Sequence, residues 1–147
     1  MSAPRPVARE DIDAWIGMRA ELWPYYSFAD LQPDAEAFFA GRGALKAVLV
    51  YDGALGPIGM IEISERSYAD GCVSSPVAFV EAWYVAEQAR GQGIGRALMA
   101  GAAAWARAHG HTELGSDTQA WNIASQDAHS AIGFEEVGRN VHYRMKL

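Results

Sequence analysis

A mixed α/β fold, with a mostly antiparallel central sheet flanked by about four helices, is the class this sequence predicts. Three observations predict it. Helical periodicity fills residues 11–39 before any long strand, three β-rich runs follow between residues 44 and 85, and strand-like and helix-like segments alternate from there to the C-terminus. The order reads β-α-α-β-β-β-α-β-α-β-β.

A short strand is expected around Val7. Ile12, Trp15, Ile16, Arg19, Leu22 and Trp23 then recur at helical spacing with Asp11 near the start, and Pro24 disfavours continuation. Leu31, Ala35, Phe38 and Phe39 trace a second short helix, with Pro33 near its start and Gly41 past its end. Ala44 to Tyr51 and Pro57 to Ser64 form an antiparallel hairpin turned by Asp52-Gly53. A Gly/Ser-rich loop from Tyr68 to Pro76 precedes Val77 to Val85, a run dense in β-branched and aromatic residues and expected to be central. Gly-rich Arg90 to Gly95 opens an alanine-rich helix that ends near Gly110. A strand at Thr112 to Ser116, a helix from Ile123 to Ile132 stopped by Gly133, and final strands from Phe134 to Leu147 complete the order.

Composition bounds what such a chain can be. Its 147 residues, half of them hydrophobic and 20% charged, fit a single domain over 1–147, with no repeat or low-complexity linker to divide it. At 15.9 kDa it is expected to expose roughly 7,400 Å² when folded against roughly 23,000 Å² unfolded, enough burial to need no staple. One cysteine, Cys72, excludes an internal disulfide and any metal-type cysteine pair, so no metal is expected. No apolar run approaches the ~20 residues of a bilayer span and MSAPRPVARE lacks a signal core, so a cytoplasmic protein without membrane contact is expected. The net charge of −6, with no basic stripe, argues against nucleic acid. An acidic field attracts cationic small molecules or peptides, although acidic pI values are also common among soluble proteins.

Arg90-Gly91-Gln92-Gly93-Ile94-Gly95 lies between a strong strand and a strong helix, where free N–H groups and the helix dipole favour an anion. It is not a P-loop, because Gly95 is followed by Arg96 and Ala97 rather than Lys and Ser or Thr. A dinucleotide fingerprint would want Gly or Ala at Arg96 and an early βαβ unit. What fits is Arg90-x-x-Gly93-x-Gly95, which resembles the acyl-CoA loop of the GNAT N-acetyltransferase superfamily; a glycine turn without a ligand is the alternative. Asn122-Ile123-Ala124-Ser125 and His129-Ser130-Ala131-Ile132-Gly133-Phe134 are similar to that superfamily's second cofactor motif. Further similarity from Leu22-Trp23 through Ser75 to Glu81, Gly115 to Thr118 and Gly133 to Glu136, ending at Tyr143-Arg144, looks like the bacterial aminoglycoside 6'-N-acetyltransferases. Ala82-Trp83 and Tyr25-Tyr26 depart from that group's usual residues.

The resemblance implies the GNAT fold, with splayed central strands binding acetyl-CoA as acetyl donor, and a homodimer. It implies cofactor contacts from Arg90, Gly91, Gln92, Gly93, Ile94, Gly95 and Arg96, from Asn122 and Ser125, and from backbone groups of Trp83, Tyr84 and Val85. Glu81 is implied as base through water, and Asp117, Trp23, Tyr68 and Glu81 as the surface facing a polycationic aminoglycoside. The proton for the departing thiolate is left between His129, where the superfamily often has a tyrosine, and Tyr143.

The residues themselves are consistent with that chemistry but leave alternatives. Loss of a proton from an ammonium needs a base, and Glu81 interrupts an apolar strand on the face expected to carry Val77, Phe79, Trp83 and Val85, where its pKa is expected to rise. A structural pairing with Arg139 or Arg144 is the alternative. Asp117 could instead cap a helix or a turn, Trp23 could be ordinary core, and Tyr68 an ordinary exposed loop residue. Cys72 has no neighbouring base or cation to activate it, which disfavours a covalent route. Competing functions are an acetyltransferase for another small amine or peptide amine, and a non-catalytic acyl-CoA-sensing module.

Overall fold

The computed structural model describes residues 2–147. Strand β1 (Arg5–Pro6) leads into α1 (Ile12–Leu22) and α2 (Phe28–Phe39), then β2 (Leu45–Gly53), β3 (Gly56–Arg66) and β4 (Val77–Val85). Helix α3 (Ile94–Ala108), β5 (Leu114–Ser116) and α4 (Ile123–Ala131) follow. The sheet runs β1-β2-β3-β4-β5, antiparallel except for the parallel pair β4 and β5.

Period-2 alternation divides the core between the two faces of this sheet. Val48, Val50, Met60 and Ala82 face α1 and α2, meeting Trp15, Ile16, Leu31 and Ala35. Ala47, Ile61, Ile63 and Val80 face the other way, against Ile94, Leu98, Met99 and Ala102 of α3. Full burial of each large aliphatic in these layers stabilises the fold by roughly 1.5–3 kcal/mol. Helix α2 starts three residues before the expected Leu31, because Ser27 and Asp30 close a capping box. That start puts Pro33 inside the helix.

The hairpin turns at Ala54–Leu55, since Gly53 pairs with Gly56, rather than at Asp52-Gly53. Strand β3 runs two residues past Ser64, to Arg66. The largest correction is at the C-terminus. The strands expected from Phe134 to Leu147 are absent, and residues 135–147 lie exposed, with Val141, Tyr143, Met145 and Leu147 at the surface. Apolar alternation is present there, but the segment pairs with no strand of its own chain. The exposed area of 9420 Å² accordingly exceeds the roughly 7,400 Å² of a compact protein of this mass.

Candidate active site

Glu81 owes its position to an irregularity in β4. Ile63 pairs with Val80 and Glu62 with Ala82, so Glu81 is an extra residue without a partner on β3, a β-bulge. The bulge breaks the expected alternation. Glu81 keeps the side of Val77 and Phe79, while Trp83 and Val85 pack on the α3 side. The expected partners Arg139 and Arg144 are not the ones used. Arg66 grips the carboxylate with two hydrogen bonds, Nε to Oε1 at 2.9 Å and Nη2 to Oε2 at 2.8 Å, and Ser64 Oγ donates to Oε1 at 2.5 Å. The Arg66 guanidinium lies 3.6 Å over the Phe79 ring.

These contacts reverse the expected pKa direction. Partial burial raises the Glu81 pKa, but the Arg66 and Ser64 hydrogen bonds and the Arg66 charge together bring it below the ordinary value. The carboxylate is therefore ionised at neutral pH. Neither Arg66 nor Ser64 stood out in the sequence.

A cleft of about 280 Å³ opens beside Glu81, lined by Arg19, Trp23, Asp34, Arg42 and Glu62 among others. Glu62 is 1% exposed; the Trp15 indole donates to its Oε1 at 2.8 Å. Arg19 Nε lies 2.7 Å from the same oxygen, forming a buried ion pair. Oε2 has no partner, and burial raises the Glu62 pKa against the opposing Arg19 charge. Trp23 packs against the core, with the Arg19 guanidinium 5.1 Å over its ring, and also lines the cleft.

On the other side of β4, the glycine loop has the geometry an anion requires. Gly91 and Gly93 take positive φ values of 75° and 84°, conformations unfavourable to other residues. Gly93 is the N-cap of α3 and supplies no side-chain acceptor, and no acidic residue sits in the first turn. The positive helix end is thus left with free amides. Arg90 Nε donates to the Val85 carbonyl, and Arg96 reaches the Ala131 carbonyl at the end of α4. Past Val80, β4 has no partner on its β5 side, because that pairing covers only Ala78 to Val80. Trp83, Tyr84 and Val85 therefore border an open gap between splayed strands.

Helix α4 borders this gap through His129, which lies against Trp83. Asn122 caps it by accepting from the Ser125 amide, so the capping role considered for Asp117 belongs to Asn122. His129 stands between Trp83 and Phe134 in edge-to-face contacts. Its Nδ1 lies 2.7 Å from the Ser125 carbonyl and so carries the hydrogen; Nε2, 2.8 Å from Ser116 Oγ, then accepts from that hydroxyl in the neutral ring. Asp117 is exposed just after β5, and its charge acts on Arg66. Tyr68 is 69% exposed and donates to Asp70, away from the cleft lining. Tyr143, 91% exposed on the tail, is not brought to Glu81 or His129. Burial and the Glu113 charge raise the Cys72 pKa. Among the described residues no group of side chains could hold a metal, and no helix is long and apolar enough to cross a membrane.

Residues 15–134 match the model of the acetyltransferase (GNAT) family. The chain is 43% identical over 147 residues to an aminoglycoside N(6')-acetyltransferase type 1 of Klebsiella aerogenes, covering 97% of this chain and 95% of the relative. A protein of the same name from Stenotrophomonas maltophilia is 39% identical, with 100% and 97% covered. Among solved structures, AAC(6')-Iy in complex with the bisubstrate analogue CoA-S-monomethyl-acetylneamine superposes with a TM-score of 0.90 at 32% identity, over 100% of this chain and 99% of the other.

Proposed function

Since the chain belongs to the acetyltransferase (GNAT) family, we propose that it is an aminoglycoside 6'-N-acetyltransferase. In this reading the enzyme transfers acetyl from acetyl-CoA to the 6'-amine of aminoglycosides by direct attack in a ternary complex, and so confers resistance. The observation that carries the reading is the ionised Glu81 carboxylate, set by the β4 bulge at a cleft on one side of the strand whose other side meets the glycine loop. The similarity to the enzymes of Klebsiella aerogenes and Stenotrophomonas maltophilia supports the substrate class.

The residues fit a coenzyme A donor. Free amides from Gln92 to Arg96, with Gly91 and Arg90, would hold a pyrophosphate; the unpaired β4 edge from Trp83 to Val85, with Asn122 and Ser125, would hold the pantetheine arm. When bound, the cofactor supplies an acetyl thioester. Glu81 receives the ammonium proton through a water at Oε2, whose second lone pair is open, and passes it to solvent because its own pKa is low. Edge amides near Trp83 to Val85 would polarise the thioester carbonyl. Ser116 Oγ–H would donate to the leaving sulfur while a doubly protonated His129 replaces that hydrogen from Nε2, which leaves the ring neutral. Tyr143 has no part in this scheme within one chain. Trp23 and Asp117 hold the drug, and Tyr68, bonded to Asp70 away from the cleft lining, takes no part in this scheme.

A thiol-release assay with acetyl-CoA tests this against aminoglycosides with and without a free 6'-amine, polyamines and a lysine peptide. Turnover confined to drugs with that amine is expected. Turnover only on polyamines or peptide would mean an acetyltransferase for another amine. Silence with coenzyme A still bound would mean a sensing module; a Glu81→Ala variant that binds coenzyme A but has lost turnover would eliminate that module, and one with an unchanged rate would refute the role of Glu81.

We further propose one acetyltransferase domain over residues 1–147, working in the cytoplasm as a homodimer. The exposed apolar tail residues Val141, Tyr143, Met145 and Leu147 support a dimer, since a second copy would cover them. Sedimentation equilibrium at micromolar concentration is expected to give twice the chain mass; a monomer would overturn the dimer.

A further inference from the structure

We propose that Arg66 is the positioning residue of Glu81, fixing the plane of its carboxylate so that a single lone pair, on Oε2, is left for the substrate's ammonium or its water. The inference rests on the proposed function for the base role of Glu81, but not for the clamp.

The geometry carries it. A carboxylate offers about four acceptor sites. Oε1 uses both of its sites on Ser64 Oγ and Arg66 Nε, and Oε2 uses one on Arg66 Nη2. The two parallel N–H bonds of the guanidinium fork define both position and plane, which a lysine ammonium does not. The bulge makes such a clamp necessary, because Glu81 has no cross-strand partner on β3 to hold its backbone in register. Arg66 is itself seated on the Phe79 ring.

Charges from every surrounding element bear on this carboxylate. Arg66 comes from β3, and Asp117, beyond β5, acts on Arg66 in turn. Glu62 of β3, Arg19 of α1, Asp34 of α2 and Arg42 line the same cleft. Only Arg66 and Ser64 hydrogen bond to Glu81, and together with the Arg66 charge they keep it ionised. Arg66 therefore lies beside both carboxylates assigned to a polycationic substrate. Its removal makes the site more negative, so substrate binding gains or holds while the transfer step loses its aligned acceptor.

Two readouts on Arg66→Gln and Arg66→Lys test this, compared with the wild type. The first is a ¹³C NMR titration of the Glu81 carboxyl in the free enzyme, which needs no substrate. The midpoint is expected to move up in Arg66→Gln and to stay low in Arg66→Lys, which keeps the charge; one midpoint shared by all three overturns the clamp. The second is kinetic. With an aminoglycoside, kcat is expected to fall roughly ten- to a hundredfold in both variants, the scale of a misplaced reacting group, with KM no higher than wild type in Arg66→Gln. A loss carried by KM at unchanged kcat overturns the proposal. If Arg66→Gln does not fold, Ser64→Ala replaces it in the titration: loss of one Oε1 donor must raise the midpoint. A wild type that is inactive on aminoglycosides sinks the functional reading, and the titration still decides the clamp.

Discussion

The Trp83 indole N–H donates to the Gly95 carbonyl at 3.0 Å, joining the open edge of β4 to the first turn of α3. A Cβ added at Gly95 would lie 3.3 Å from the Trp83 ring, so strand and helix meet at close range because residue 95 has no side chain. Trp83→Phe keeps most of the packing and deletes the bond, at about 1 kcal/mol of stability. Coenzyme A binding is expected to weaken by several-fold with the substrate KM unchanged, as read by calorimetric titration of coenzyme A. An unchanged coenzyme A affinity would separate this contact from the loop's role.

Asp117 follows β5 exposed, within electrostatic range of Arg66. If Asp117 faces the substrate's ammonium groups, as proposed, Asp117→Asn removes one negative charge there, so drug affinity is expected to fall more than coenzyme A affinity, and more at low than at high salt. Equal losses for both ligands would point to a structural role.

The parts of the site legible in the sequence are those made by short-range chemistry. The glycine loop and the helix it opens are local patterns and lie where the spacing puts them; the next helix also starts as expected, though its cap is Asn122 rather than Asp117. Glu81 was visible as the one charge in an apolar strand, but Val77 to Val85 alternates without interruption on paper, so nothing revealed the bulge that turns Trp83 to the other face. Arg66 escaped notice because it sits two residues beyond the apolar part of β3, where only pairing with β4 keeps the chain extended. Its bond to Glu81 spans 15 residues, and that of Ser116 to His129 spans 13. The tail shows the converse: its strand-like alternation is legible, yet residues 135–147 form no strand and lie exposed.

Glu62 and Arg19 form a buried ion pair under the cleft, and removing one member strands the other. Glu62→Ala is expected to cost about 3–5 kcal/mol in urea unfolding, offset in part by the Asp34 carboxylate, which lies 3.3 Å from Arg19 Nη2. The pH dependence follows from the raised pKa of Glu62 in the folded state. Between the ordinary value of 4.5 and the raised one, the native chain binds the proton and the unfolded chain does not, so stability falls as pH rises through that window. Glu62→Gln removes this slope. The wild-type stability measured relative to Glu62→Gln should therefore decline with rising pH above 4.5, and a constant difference would contradict the assignment.

Ser116 and His129 act as one unit if the proton reaches the leaving sulfur through them. The His129 Nδ1 hydrogen is committed to the Ser125 carbonyl, so the ring exchanges protons with the gap only through Ser116. With the ring doubly protonated, Nε2–H passes its hydrogen to Ser116 Oγ as Ser116 gives its own to the sulfur, so Ser116→Ala removes the outlet and His129→Gln removes the source. Each is expected to lower kcat by about 10²-fold, the low end of general acid catalysis, and the double variant should be no worse than either single one. Additive losses would show two independent roles. The ring also packs against Trp83 and Phe134, so an ordinary packing effect is distinguished by donor chemistry: a thioester with a more acidic thiol, whose leaving group needs no proton, should restore most of the lost rate to both variants if the pair supplies the acid, and none if they have only loosened the core.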